Sequence, residues 1–247
     1  MTVIKVNRPH DQGLIQEVPL MNAQALEDIL SKAHRLFLNT EQWLPAYERI
    51  EILERVAQIM TEQVDKLTKI AAQEGGKPYQ DSKVEVLRAV NGVKLAIEYM
   101  SHIKGEQIPM GHTRSSSQRL AYTMREPIGL VASVSAFNHP LNLTVHQTVP
   151  AIAVGSPVII KPAKVTPLSC FAFMDILKEA GLPEGWCSAF IGDVELTQKL
   201  VMDSRINYFS FIGSAKVGWS LRSKLSPGTR CALEHGGVAP VIVEPDA

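Results

Sequence analysis

The first hundred residues carry apolar side chains at a helical period. Between Ile50 and Met60 the apolar positions recur every three or four residues, which predicts one face of an amphipathic helix. Asn22 stands just before a similar run and is expected to be its N-cap. Glycine and proline at 75–78 end this stretch, and another helix is predicted over 81–100. The positions of that helix expected to face inward are Val84, Leu87, Val90, Val93 and Ile97.

The pattern then becomes strand-like. Two short, polar-rich strand candidates, 103–108 and 120–124, predict a protruding β-hairpin over 105–125. Because a two-stranded ribbon is only marginally stable alone, we expect it to lean on another surface.

From residue 129 onward, short apolar segments alternate with helical ones. Thr166 is expected to cap one of these helices ahead of Pro167, and Gly181 to end it. Such alternation implies right-handed crossovers, and therefore an α/β fold with a doubly wound parallel sheet. The predicted strands are 130–134, 158–160, 187–191, 208–212, 231–233 and 241–243, and the predicted helices are 142–154, 167–181, 193–202 and 214–225. The chain is thus divided into a helical part (1–104), the hairpin (105–125) and a parallel-sheet core (126–247).

Candidate functional residues follow from a rule for such sheets, in which ligands bind beyond the carboxyl ends of the strands. The residues at these predicted ends are Asn138, Lys161, Lys164, Gly192, Gly213, Ser214 and Glu234. Two histidines in the segment after Asn138, His139 and His146, are interpreted as structural.

Each candidate also has an ordinary explanation. Gly213 and Ser214 could bind phosphate at a helix N-terminus, or form a simple glycine turn with a serine cap. Lys161 could contact a ribose or a phosphate, or extend its amine to solvent. Asn138 could stabilise an oxyanion or be a turn residue, and Glu234 could be a general base or a loop acid.

Composition narrows the classes of function. The chain has 25 basic and 25 acidic residues, so charge gives no reason to expect nucleic acid or an anionic membrane as a partner. No apolar run is long enough to span a bilayer, and residues 1–20 lack the apolar core of a secretory signal. The three cysteines are scattered, which argues against a disulfide framework or a metal site and favours the cytoplasm.

The order of several short segments is more informative than any one of them. The segments are FNHP (137–140), KPA (161–163), GLPEG (181–185), FIGS (211–214) and EHGG (234–237), with EGGKP (74–78) upstream. From about Leu26 to Ala247 they resemble the first half of the aldehyde dehydrogenase family. The resemblance implies a Rossmann-like cofactor domain and the oxidation of a small aldehyde to a carboxylic acid with NAD or NADP.

The resemblance also implies a role for individual residues. Asn138 corresponds to the family's oxyanion-stabilising amide, and Glu234 to the general base that activates water. Lys161 corresponds to the lysine at the adenosine ribose, and Ser214 to the serine at the pyrophosphate. The remaining cofactor-binding positions implied in this way are Ser135, Ala136, Phe137, Lys164, Gly192 and Gly213.

Three positions depart from the family pattern. Lys164 stands where a glutamate often holds the ribose 2′-hydroxyl, and a lysine cannot accept that hydrogen bond but can meet a 2′-phosphate. This residue favours NADP over NAD. Ile212 and His235 replace a frequent threonine and leucine, and they indicate a divergent branch.

The family nucleophile is a cysteine that would lie beyond Ala247. Cys170 falls in an expected core helix and Cys231 in an apolar strand, where thiols are usually inert. We therefore expect no turnover by these 247 residues alone, a complementing C-terminal half, and a homo-oligomer in the complete protein that uses the 105–125 hairpin. The alternative hypothesis is a non-catalytic remnant that binds nucleotide or associates with related subunits.

Overall fold

A computed structural model describes residues 2–247. It begins with an antiparallel hairpin of β1 (Val3–Asn7) and β2 (Leu14–Pro19), an element that the sequence reasoning did not predict. Val6 and Val18 on this hairpin are buried against Ile191 and so attach it to the rest of the chain.

Four helices follow: α1 (Ala23–Leu38), α2 (Ala46–Glu62), α3 (Val64–Gly75) and α4 (Tyr79–Met100), with a 3-10 turn at Thr40–Gln42. The predicted cap of α1 is confirmed, since the Asn22 side chain accepts a hydrogen bond from Ala25 N at 2.9 Å. Gly76 ends α3 in the left-handed region with φ 69°, a conformation that glycine adopts without strain.

The predicted inward face of α4 is only partly correct. Val90 and Val93 are buried as expected, and Ile97 is half-buried, but Val84 and Leu87 are about half exposed. The helix instead buries Ser82, Glu85, Val86 and Ala89 along with Val90 and Val93. The buried face of α4 thus includes a carboxylate, a residue type that hydrophobic periodicity assigns to the solvent side.

The predicted hairpin is present but short, with β3 (Gln107–Ile108) paired to β4 (Ala121–Tyr122). The elements after it alternate, as the sequence predicts. They are β5 (Leu130–Val134), α5 (Pro140–Val154), β6 (Val158–Lys161), α6 (Leu168–Glu179), β7 (Cys187–Ala189), α7 (Val194–Met202), β8 (Ile206–Gly213), α8 (Ala215–Arg222) and β9 (Arg230–His235).

The five later strands form one parallel sheet in the order β7-β6-β5-β8-β9. From β5 the chain adds β6 and β7 on one side, and it then returns to add β8 and β9 on the other side. The Rossmann-like, doubly wound α/β fold is therefore confirmed, and its topological switch point lies between β5 and β8.

Helices cover both faces of this sheet. One face packs against α5 and α6, with α2 and α4 behind them in the same hydrophobic cluster. The other face packs against α1, α7 and α8. Within residues 2–247, no helix combines the length and the apolar character needed to cross a membrane.

Some predicted boundaries are wrong. Thr166 does not cap α6; its hydroxyl donates to the Phe137 carbonyl, and Pro167 occupies the cap position without a side-chain bond. The predicted strand 241–243 is an exposed irregular segment, because the described chain offers no neighbouring strand beyond β9 for it to pair with. Strand β7 is shorter than predicted, and β9 extends through Glu234 to His235.

Candidate active site

A cleft of about 720 Å³ opens at the carboxyl ends of the strands on both sides of the switch point. Seven residues predicted to bind a cofactor lie together in its wall: Ser135, Ala136, Phe137, Lys161, Lys164, Gly213 and Ser214. Strands β5, β6 and β8 each deliver part of this set, so the residues meet although they are distant in sequence. Helices α7 and α8 complete the wall.

The cleft is positively charged. Lys161, at the end of β6, and Lys164, just after it, line the same wall as Lys216 in the first turn of α8. Burial, reinforced by the positive charge of Lys164, lowers the pKa of Lys161 to about 8. An anion in the cleft would restore the charged form of this lysine, since a nearby negative charge favours an ammonium group.

Two polar features line the cleft. Ser135, directly after β5, is only 7% exposed, and its hydroxyl has no hydrogen-bond partner within residues 2–247. On the opposite side Ser214 caps α8, whose first N–H groups have no acceptor inside the helix. Hydrogen-bond donors of this kind are suited to a phosphate group.

The two predicted close-approach glycines have a structural requirement of their own. A Cβ atom on Gly213 would come within 2.7 Å of the Phe211 ring, and one on Gly192 within 2.4 Å of the Phe190 ring. Gly213 lines the cleft, whereas Gly192 lies just outside the lining and precedes Asp193, which belongs to it. A side chain at either position would therefore force the buried phenylalanine two residues earlier to move.

Glu234 lies on the other side of the sheet edge. It belongs to β9, and its Oε1 is 3.1 Å from Nε2 of His146 on α5. Both side chains are about half exposed, at the mouth of a groove of about 420 Å³ between α5 and the β8–β9 edge. The sequence leads us to interpret His146 as structural, and in the structure its ring contacts the candidate base.

The loop before α5 holds the other candidate catalytic residue. Asn138 is exposed beside Phe137, next to the cleft rather than in its lining. The buried Glu85 fixes the start of α5, because its Oε1 accepts from Leu141 N at 2.9 Å and from Asn142 N at 3.2 Å.

The other carboxylate oxygen of Glu85 pairs with Lys77 at 2.5 Å. The Lys77 amine is in turn 3.1 Å from Nδ1 of His139, the residue after Asn138. The second histidine interpreted as structural therefore belongs to an ionic network that anchors this loop.

Comparison with known proteins decides the family. The model of the aldehyde dehydrogenase family matches residues 1–247. The chain belongs to the aldehyde dehydrogenase family. It is 36% identical over 202 residues to a 3-sulfolactaldehyde dehydrogenase of Priestia aryabhattai, covering 81% of this chain and 42% of that protein. It is 34% identical over 247 residues to a lactaldehyde dehydrogenase of Methanocaldococcus jannaschii, covering 98% and 52%.

Solved structures of the aldehyde dehydrogenase family agree with the fold. Aldehyde dehydrogenase 21 of Physcomitrella patens, in complex with its reaction product succinate, superposes with a TM-score of 0.92 at 30% identity over 97% of this chain and 50% of its own. Glyceraldehyde-3-phosphate dehydrogenase of Methanocaldococcus jannaschii, complexed with NADP, gives 0.87 at 32% identity over 95% and 51%. The chain thus spans about half the length of these aldehyde dehydrogenases.

None of the three cysteines within residues 2–247 lines the cleft. Burial raises the pKa of Cys170 to about 12, and burial also raises the pKa of Cys187 well above its ordinary value. Cys231 lies in β9 with its side chain in the cluster beneath α1, α7 and α8, away from Glu234. Among residues 2–247, no three histidine, cysteine or acidic side chains form a set that could hold a metal ion.

Several residues of the cleft were missed by the sequence reasoning. They lie on α7 and α8 or cap α7, and they comprise Asp193, Val194, Thr197, Gln198, Lys216, Val217, Ser220 and Leu221. The position of Lys216, two residues after a strand-end serine, is a local signal that could have identified it. The others face the cleft through helix packing, which leaves no local pattern.

Proposed function

We propose that this chain is the cofactor-binding half of an NAD(P)-dependent aldehyde dehydrogenase that oxidises a small aldehyde to the carboxylic acid. The observation that carries the proposal is the cleft at the β5–β8 switch point, where lysines, an unpartnered serine hydroxyl and a helix N-terminus converge. The family match over residues 1–247 supports it.

The residues present fit a dinucleotide. Ser214 and the first turn of α8 would hold the pyrophosphate, Lys161 would contact the adenosine ribose, and Ser135 would offer its free hydroxyl. Gly192 and Gly213 would keep the strand ends clear of side chains. The bound cofactor would supply a hydride acceptor.

Lys164 favours NADP. Its amine adds a second positive charge beside Lys161, where the 2′-substituent of the adenosine ribose would lie. A lysine offers donors and positive charge to a 2′-phosphate but no acceptor to a 2′-hydroxyl. The solved glyceraldehyde-3-phosphate dehydrogenase of Methanocaldococcus jannaschii, which binds NADP, is a relative of this chain and supports the same preference.

Two residues would act on the substrate. The Asn138 amide would donate to the oxygen that becomes negative when the aldehyde carbon is attacked. Glu234 would take a proton from the water that releases the acid, and His146, 3.1 Å away, would hold its carboxylate in place.

The 105–125 hairpin would form contacts between subunits. Sedimentation of the complete protein would test this role.

The nucleophile would come from a part of the family fold outside residues 1–247, which an added complementing C-terminal polypeptide can supply in an assay. Cys170 and Cys187 are held as thiols by burial, and the Cys231 side chain points to the opposite side of its strand from Glu234. We therefore propose that residues 1–247 bind cofactor without oxidising aldehydes by themselves. Lactaldehyde and 3-sulfolactaldehyde, both 2-hydroxyaldehydes, are the first substrates to test once the complementing polypeptide is added, because relatives of this chain are named for them.

Calorimetric titration of the chain with NADP and with NAD tests this proposal. We expect saturable binding that is tighter for NADP, and in Lys164→Glu a roughly tenfold loss of NADP affinity with little change for NAD. Lys178→Glu makes the same charge change on an exposed part of α6 outside the cleft and should leave both affinities unchanged. A folded chain that binds neither nucleotide would refute the cofactor function.

The second candidate function is a nucleotide-binding or subunit-associating module without catalysis. The exposed apolar side chains of the hairpin, including Leu120 and Met124, favour association with another chain. Addition of the complementing polypeptide separates the two functions. Aldehyde-dependent reduction of NADP would support the enzyme, and binding without turnover would support the module.

A further inference from the structure

Glu74 is a buried carboxylate that lies outside the cleft but contacts one of the elements that form it. It is the penultimate residue of α3 and only 1% exposed. Its two oxygens accept hydrogen bonds from Leu168 N at 2.7 Å and from Ser169 N at 2.8 Å. These are the first two residues of α6, so a side chain from the helical layer caps a helix of the sheet core.

This cap replaces one that α6 lacks. Pro167 holds the N-cap position and makes no side-chain hydrogen bond, while the Thr166 hydroxyl donates to the Phe137 carbonyl at 3.3 Å. A negative charge at this position also complements the helix dipole. The start of α6 therefore depends on Glu74.

The segment that Glu74 fixes carries the cationic side of the cleft. Residues 161–167 connect β6 to α6, and Lys161, Ala163 and Lys164 line the cleft. The segment is held at one end by β6, near its other end by the bond from Thr166 to Phe137, and at the start of α6 by Glu74. Removing one of these three attachments would let the lysines move relative to α8.

We propose that Glu74 is a positioning residue for the cofactor cleft, which by capping α6 holds the 161–167 segment and its lysines in register with the phosphate-binding start of α8. The inference rests on the proposed function of the cleft as a nucleotide site. Glu74 touches no substrate or cofactor itself and acts through the backbone of α6.

The surroundings of Glu74 make its charge depend on pH. Glu85 on α4 adds a like charge, while Lys77 pairs with Glu85 and not with Glu74. From α6, Cys170 is the titratable group that faces it. Burial raises the pKa of Glu74 to about 7, against the opposing effects of the Ser169 side chain and of the two N–H donors. The charged cap is therefore present above neutral pH and is lost below it.

The test compares Glu74→Gln with the wild-type chain by calorimetric titration with NADP. Glutamine keeps the size of the side chain and mimics the protonated acid. At pH 8 we expect the Kd of the variant to be roughly tenfold higher, because a charge-assisted cap is lost. At pH 6 the Kd values of the variant and the wild-type chain should converge. Comparing the two proteins at the same pH removes the effect of the nucleotide's own titration, because that effect changes both Kd values equally.

Arg55→Gln is the matched control. Arg55 caps the other end of the same helix, where its Nε donates to the Ala180 carbonyl at 2.7 Å, far from the lining of the cleft. We expect it to lower stability without changing the Kd. An equal loss of affinity in both variants, or none in a folded Glu74→Gln, would overturn the proposal.

Hydrogen exchange on the nucleotide-free chain separates this inference from the proposed function. Protection of peptides over 161–172 should fall in Glu74→Gln at pH 8 and not in Arg55→Gln. If Glu74→Gln does not fold, Glu74→Asp provides the test, because the shorter side chain keeps the charge but cannot reach both N–H groups of α6. Its protection over 161–172 at pH 8 should be lower than that of the wild-type chain. Unchanged protection would refute the positioning role even if the chain binds NADP.

Discussion

Lys161 shows how stability and binding compete at a single residue. The side chain ends a strand of the core, and the folded chain withdraws most of it from water while placing a second lysine nearby. Both effects disfavour the ammonium form, so the folded protein carries this charge at a cost that the unfolded chain avoids. A residue kept in such a place is better explained by binding an anion than by packing.

This cost can be measured. The pKa of Lys161 is lowered from 10.5 to about 8 in the folded chain, so between these values the unfolded state binds more protons and stability rises with pH. Below pH 8 the full cost is present, on the order of 3 kcal/mol. Lys161→Met should therefore be more stable than wild type at pH 7, by about 2–3 kcal/mol in urea unfolding.

The advantage of Lys161→Met should shrink between pH 8 and pH 10.5, because the wild-type lysine then loses its charge in the folded state. The same variant should bind NADP more weakly. A variant that is less stable than wild type at pH 7 would show that the lysine stabilises the fold and is not held there against a cost.

Among individual residues, the sequence predicted those that stand directly at the ends of strands. Lys161, Lys164 and Ser214 meet in the cleft because the topology brings the carboxyl ends of β5, β6 and β8 to one edge. The contact between His146 and Glu234 spans 88 residues, and the one between Glu74 and Leu168 spans 94. Such pairs depend on how helices dock on the sheet, and a single sequence carries no local signal for them.

At the scale of elements, the helices α5 and α6 are capped at both ends by charged side chains from the helical layer. Glu85 and Glu74 accept from the N–H groups at their starts, while Arg49 and Arg55 donate to carbonyls at their ends. Acids at N-termini and bases at C-termini both complement the helix dipole. The helical layer therefore orients the two helices that support the cleft as well as burying them.

Loss of the Glu85 cap should be costly. In Glu85→Ala the N–H groups of Leu141 and Asn142 lose their acceptor and Lys77 loses its ion-pair partner in a largely buried site. We expect the free energy of unfolding to fall by about 3–5 kcal/mol. Glu98→Ala, at an exposed position of the same helix, should change it by less than about 0.5 kcal/mol. Equal effects of the two substitutions in urea unfolding would contradict the capping role.

Glu85 also explains why the orientation of α4 was mispredicted. Hydrophobic periodicity assigns a carboxylate to the solvent side, yet this one is buried because two backbone donors and a lysine satisfy it. The helix turns accordingly, and Val84 and Leu87 become exposed. Local patterns predict which elements exist and in what order they follow one another. The buried face of α4 is instead set by polar contacts between residues that are 56 positions apart in the sequence.

At the scale of the whole molecule, the helical layer and the sheet share a hydrophobic core. Residues of α2 and α4 belong to the same buried cluster as residues of α5, α6 and the sheet. We therefore propose that 1–104 and 126–247 form one domain, with 105–125 as a projection from it. The alternation after residue 129 was sufficient to predict the doubly wound sheet, but the depth of this shared core became visible only in three dimensions.

A shared core implies a single cooperative unfolding transition. Trp43 lies in the helical part and packs against the cluster that contains the buried Trp186, whereas Trp219 is half exposed on α8. In a variant in which Trp186 and Trp219 are replaced by phenylalanine, Trp43 is the only tryptophan left, and excitation that is selective for tryptophan reports on it alone. Its unfolding midpoint in urea should then coincide with the far-UV circular dichroism midpoint of the same protein, because one two-state transition moves every probe together. A Trp43 midpoint at clearly lower urea would mean that the helical layer unfolds first, and that the charged caps on α5 and α6 do not couple the two layers into one unit.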